Sequence, residues 1–164
     1  MIEKHPFDDF IPANAKYLLL GSFATKPFPG YEWFYANGRN QFWPILEAVY
    51  GRELQTKSAQ QQLFRDLHMA LSDVILECER HNNSNLDINL KNIVVNNAIS
   101  DILQNNIIKR IYFSSRFAET LFKRHFKKLY GEVEKIVLPS PSPRYAAMTR
   151  QQKVEKYIEL MPKL

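Results

Sequence analysis

Short apolar runs, each closed by small or polar residues, punctuate the chain. KYLLLGSF at 16–23, RIYFSS at 110–115 and EKIVLPS at 134–140 are continuous rather than alternating, which predicts strands buried on both faces. LSDVIL at 71–76 has the same form more weakly. Between these runs the apolar residues fall at helical spacing. Phe42, Ile45, Leu46 and Val49 make one stripe, and Phe117, Ala118, Leu121, Phe122, Phe126 and Leu129 make another. Thr149, with Gln152 three residues on, is a capping box; it opens a last helix whose expected buried face is Val154, Tyr157, Ile158 and Met161. The polar stretch ERHNNSNLDINLKN at 79–92 reads as a long surface loop, of a kind that often serves function.

Buried strands alternating with amphipathic helices predict an α/β protein. The expected architecture is a three-layer α/β/α sandwich around a mainly parallel sheet of about four strands. Binding sites in such sheets gather at the C-terminal strand ends. Here those ends are the exits after Gly21-Ser22-Phe23, after Ser114-Ser115, and the segment PSPSPRY at 139–145. A length of 164 residues suits a single domain, 1–164.

Composition narrows the chemistry. With 45% hydrophobic residues, including 11 Phe, 8 Tyr and 2 Trp, the core needs no covalent or metal staple. The single cysteine, Cys78, cannot form an internal disulfide or supply the thiolates of a cysteine-rich metal site. The first residues, MIEKHPFDDF, carry acids and a proline where a signal peptide needs an apolar run, and no stretch approaches the ~20 apolar residues of a membrane span. A soluble, cytoplasmic protein with no membrane partner is expected. Phosphate-binding loops, dinucleotide fingerprints, His-Glu-x-x-His and nucleophile elbows are all missing. The four histidines, His5, His68, His81 and His125, have no ligand spacing and read as surface or half-buried residues; nothing in the spacing joins Asp66 to Asp73. No metal and no cofactor is expected. The net charge of +5 is bunched in FKRHFKK at 122–128 and across the last thirty residues, which suits either a polyanionic partner or a solvated helix face.

Two segments at predicted strand exits stand out. YANGRNQFWPIL at 35–46 sets Tyr35, the turn Asn37-Gly38 and Asn40 ahead of Phe42 and Trp43. Taken alone, Asn40 is a helix N-cap and the two aromatics begin the buried stripe of the helix. In the other segment Pro139, Pro141 and Pro143 each fix a backbone angle, so Ser140 and Ser142 sit on a stiff loop that alone is equally a plain exit turn.

Taken in order, Gly-Ser-Phe at 21–23, Asn-x-Phe-Trp at 40–43 and Leu-Pro-Ser-x-Ser-Pro at 138–143 resemble the uracil-DNA glycosylase superfamily. Within it they are most similar to the hypoxanthine-DNA glycosylase branch, as is SDVILECER…SNLD at 72–87. The resemblance implies a monofunctional glycosylase that hydrolyses the N-glycosidic bond of deaminated bases in DNA, hypoxanthine and mismatched uracil among them, acting as a monomer without a cofactor. It implies that Tyr35 stacks on the flipped base, that Asn40 is the catalytic amide, and that Gly21 and Ser140 belong to the base site. Backbone N–H groups of Ser22 and Phe23 would meet charge developing on the leaving base. Ser142, Arg144 and Tyr145 would touch DNA, the last two filling the space the base leaves.

Departures from the pattern shape the expectation. Phe23 stands where uracil-excising members have a carboxylate or amide, and Leu138 replaces their histidine; both argue against efficient uracil excision and leave Asn40 as the main catalytic candidate. Ala24 replaces a usual proline, and Arg144-Tyr145 a usual Ala-Asn. With no lysine in a matched motif, simple hydrolysis without a Schiff base is expected. The alternative is a non-catalytic nucleic-acid or nucleotide-binding module of the same fold.

Overall fold

The structure is a computed structural model that describes residues 1–24, 30–83 and 86–164. In chain order its elements are β1 (Ile2–Lys4), β2 (Tyr17–Gly21), α1 (Phe42–Tyr50), α2 (Lys57–Asp66), β3 (Met69–Asp73), β4 (Ile75–Arg80), β5 (Leu90–Val95), α3 (Ala98–Asn105), β6 (Arg110–Phe113), α4 (Arg116–His125), α5 (Lys127–Tyr130), β7 (Glu134–Val137) and α6 (Arg150–Leu160).

Strands β3, β2, β6 and β7 form, in that order, a four-stranded sheet in which every neighbouring pair is parallel. The alternation of side chains along β2 explains its continuous apolar run. Leu19 points into a cluster with Phe42, Leu46, Phe64 and Tyr157 of α1, α2 and α6. Leu18 and Leu20 point the other way, toward Ile99 and Ile102 of α3 and Ala118, Leu121 and Phe122 of α4. Helices therefore cover both faces, as the pattern predicts, and a strand with two buried faces needs apolar residues at every position. The Thr149 capping box is present: Thr149 Oγ1 accepts the Gln152 N–H at 3.1 Å, and Gln152 Oε1 accepts the Thr149 N–H at 2.9 Å.

Two expectations need correction. The segment at 71–76 is split between two sheets: β3 ends at Asp73, and β4 starts at Ile75 in a separate three-stranded antiparallel sheet of order β1-β4-β5. The expected surface loop at 79–92 is thereby shortened, because Glu79 and Arg80 pair with Lys91 and Leu90. Strand β5 is open on one side, with Leu90 buried and Lys91, Asn92 and Val94 exposed, so its sequence looks polar. Ser84 and Asn85 of the motif at 72–87 lie outside the described residues. On α6, Ile158 is 49% exposed whereas Lys153 is 1% exposed. At 100° per residue the residues 153, 157, 161 and 154 span a single arc, and 158 falls beyond its edge.

Candidate functional site

The exits of all four parallel strands open into one cleft of about 1350 Å³. Ser22 and Phe23 follow β2, Asp73 ends β3, Ser114 and Ser115 follow β6, and Leu138 follows β7. The remaining wall comes from residues before α1 and from the proline-rich loop.

Asn40 is held by local bonds. Its N–H donates to the Asn37 carbonyl at 2.9 Å, and its Oδ1 accepts the Phe42 N–H at 2.9 Å. The capping role and a place on the cleft wall are thus filled by the same side chain. The next residue ties this segment to the proline-rich loop: Gln41 N–H donates to the Pro141 carbonyl at 2.8 Å. Lys153, buried on α6, locks the junction by donating to Gln41 Oε1 at 2.8 Å and to the Ser142 carbonyl at 3.1 Å. Burial pushes the Lys153 amine below its ordinary pKa. Tyr157 Oη donates to the Pro139 carbonyl at 2.9 Å. Within the loop, Ser140 Oγ accepts the Ser142 N–H and Ser142 Oγ accepts the Arg144 N–H, both at 3.2 Å. The loop is an anchored platform, with Arg144 and Tyr145 exposed at its tip. Tyr145 is 41% exposed, and Lys153 Nζ lies 5.4 Å from its ring centroid.

Tyr35 has a positive φ of 59°, a costly conformation for an aromatic residue and one that recurs at functional sites. Its ring is stacked on Phe42 with centroids 4.0 Å apart, and its Oη donates to Ser114 Oγ at 2.9 Å. Burial first, and the charge of Asp73 second, push its phenol well above the ordinary pKa, which keeps the donor protonated.

Beneath Tyr35 lies a buried ion pair. His5 Nε2 donates to Asp73 Oδ2 at 2.6 Å, with side chains 6% and 5% exposed. His5 is packed between the rings of Phe7, Phe23 and Phe34. Burial alone would lower the pKa of His5, but the hydrogen bond and charge of Asp73, the Phe7 carbonyl and the charge of Asp9 more than offset it and leave it raised. Gly21 has no side chain because there is no room: a Cβ there would fall 2.3 Å from Asp73 Oδ1, 2.6 Å from Tyr35 Oη and 3.3 Å from Ser114 Oγ.

Of the residues expected from sequence, Ser22, Phe23, Tyr35, Asn40, Ser140, Ser142, Arg144 and Tyr145 all line this cleft. Gly21 sits behind the wall against Asp73 and Tyr35. The Phe23 ring is engaged elsewhere, at 5.8 Å from the His5 ring and 5.6 Å from the Arg80 guanidinium. Phe42 and Trp43 are buried in the core. Asp66 is far from any pairing with Asp73; it accepts from Arg52 at 2.7 Å. Among the described residues, no group of His, Cys, Asp and Glu is arranged to hold a metal ion, and no helix is long and apolar enough to cross a membrane.

Sequence reasoning missed His5, Asp73 and Lys153. Asp73 had a usable signal, as the last residue of a strand whose exit faces the site. His5 lies 68 positions away from it, and Lys153 reads as an ordinary surface lysine; neither carries a local mark.

No family model matches the chain, and no curated protein matches it. Among solved structures 13 chains match. One is the solution NMR structure of a protein from Methanosarcina acetivorans, provisionally named a uracil DNA glycosylase, with a TM-score of 0.73 and 20% sequence identity over 98% of this chain and 99% of that one. Over its full length, therefore, the chain is similar in fold to that protein, with the cleft at the C-terminal ends of its four parallel strands.

Proposed function

We propose that the protein is a monofunctional DNA glycosylase that hydrolyses the N-glycosidic bond of deaminated bases, hypoxanthine first. One observation carries this reading: an aromatic residue in a strained conformation, Tyr35, and an amide, Asn40, share a cleft whose rim is an anchored proline-rich loop. The fold shared with the protein named above supports it. A flipped base needs a face to stack on and groups that read its edge, and Tyr35 with Ser114 and Ser140 offers both.

Asn40 has no basic lone pair near neutral pH, so its role is positional: it holds a water beneath the sugar carbon while an oxocarbenium-like transition state develops. Phe42 N–H fixes the amide from one side, which defines its orientation. Backbone N–H groups at Ser22 and Phe23 stabilise charge on the departing base; loss of one such donor typically costs about 3 kcal/mol in barrier. Positive charge for the phosphates comes from Arg39, Arg116, Arg144 and Lys156, all on the cleft wall. The volume of about 1350 Å³ exceeds the ~300–1,000 Å³ of small-molecule pockets, as an extended ligand requires.

The test is incubation with duplexes containing hypoxanthine, uracil, xanthine or ethenocytosine, followed by detection of abasic sites. Hypoxanthine is expected to be released, and Asn40→Ala to lower the rate on the order of 10²–10³-fold. The variant also loses a cap worth about 1 kcal/mol, so its melting is measured alongside. Full activity in the alanine variant removes Asn40 from the chemistry. Salt-dependent duplex binding without any abasic product favours the non-catalytic binding module instead.

A further inference from the structure

We infer that Asp73, held by His5, reads the ring N–H that deamination creates in a base. The inference rests on the base-excision reading above and names what makes that site selective. Burying a carboxylate is costly unless it is paired, and His5 supplies the pairing on one oxygen, Oδ2. The other oxygen, Oδ1, lies on the Gly21 side with Tyr35 Oη and Ser114 Oγ, so three polar atoms converge where the glycine leaves space. Tyr35 and Ser114 satisfy each other with a 2.9 Å bond. Asp73 itself lines the cleft, beside the aromatic ring proposed to stack on the base. Asp87 also lines the cleft but is exposed.

An ionised carboxylate can only accept hydrogen bonds. Adenine N1 and cytosine N3 are acceptors too, and against Asp73 they set lone pair to lone pair. Deamination to hypoxanthine or uracil turns the same ring nitrogen into an N–H donor, which meets the carboxylate in a charge-assisted bond. Sites built to bond a substrate N–H or O–H reject analogues lacking it far more steeply than apolar pockets reject a missing methylene. His5 keeps the carboxylate oriented through its Nε2–H, and aromatic rings of Phe7, Phe23 and Phe34 fix the imidazole.

The experiment has two arms. In the first, free hypoxanthine, 1-methylhypoxanthine and adenine are titrated into the wild type, Asp73→Asn and His5→Gln, with melting measured for each. The second arm measures single-turnover release of hypoxanthine from a duplex. The wild type is expected to bind hypoxanthine at least about tenfold tighter than adenine or the 1-methyl base, the loss expected of one hydrogen bond to a charged acceptor. Asp73→Asn should erase both ratios and slow release by about 10–100-fold. His5→Gln still donates to Asp73 and should keep the preference. Unchanged ratios in folded Asp73→Asn, or equal wild-type binding of hypoxanthine and its 1-methyl form, overturn the inference while base release stands. Discrimination without base release overturns the glycosylase reading and leaves Asp73 as a base reader. A wild type that neither binds nor releases a base overturns both.

Discussion

Two regions of this molecule offer positive charge, and they are built in opposite ways. On α4 and α5, Lys123, Arg124, Lys127 and Lys128 are close neighbours in sequence and stand exposed, yet none lines the cleft. Around the cleft, Arg39, Arg116, Arg144 and Lys156 come from four separate stretches of chain and converge on one opening. Beneath them the charges are buried and individually partnered: His5 with Asp73, and Lys153 with Gln41 Oε1 and the Ser142 carbonyl. Density of charge in sequence marks a solvated helix face. Convergence of charge in space, over groups whose burial must be compensated, marks a site.

The sharpest way to break that comparison is at the cleft floor. Gly21→Ala puts a methyl 2.3 Å from Asp73 Oδ1 and 2.6 Å from Tyr35 Oη, so the carboxylate, the tyrosine or the strand must shift. Overpacking of this kind costs about 1–3 kcal/mol, and displacement of the stacking ring should lower base release on the order of 10²-fold. Denaturant unfolding and single-turnover release together check it; a variant as stable and active as wild type means that the floor is not a close-packed site.

The next effect is at the rim. Extruding a base costs a few kcal/mol, and side chains inserted in its place recover part of that. Arg144→Ala with Tyr145→Ala should therefore slow release from duplex DNA by roughly tenfold or more and release from single strands much less. Equal losses on the two substrates would show that the tip of the loop serves the pocket or the fold, consistent with the Lys153 contact to Tyr145.

A smaller effect concerns pH. The folded pKa of His5 is raised above its ordinary 6.5, so the stability it contributes is complete below that value and is lost as pH rises through the folded pKa. The groups responsible are Asp73 and Asp9, with the Phe7 carbonyl. Unfolding midpoints should fall on going from about pH 6 to alkaline conditions, and His5→Gln should flatten that fall. An identical profile in the variant would remove His5 as its source.

The smallest effect is expected on the helix. Reversing Lys127 and Lys128 to glutamate should leave the salt dependence of duplex binding unchanged, whereas Arg39→Ala should reduce its slope by about 0.9, one phosphate contact. The opposite outcome would move the DNA-binding face to α4 and α5.

The sequence by itself determined the layered core. Continuous apolar runs at β2 and β6 can only be strands with two buried faces, and the stripes from Phe42 and Phe117 and the Thr149 capping box are local signals that no tertiary contact needs to create. It also marked Tyr35, Asn40 and the proline-rich segment, because their residue types at strand exits are informative before folding. Only the tertiary structure decided how these are held. Pairing of β4 with β5, the burial of Lys153 under the loop, and the meeting of His5 with Asp73 across 68 positions join segments that carry no mark of one another in the chain. Hydrogen bonds and charge compensation depend on distance in space rather than on period or propensity. The groups that position the site were therefore set by where the parallel strands end and what the fold packs against them.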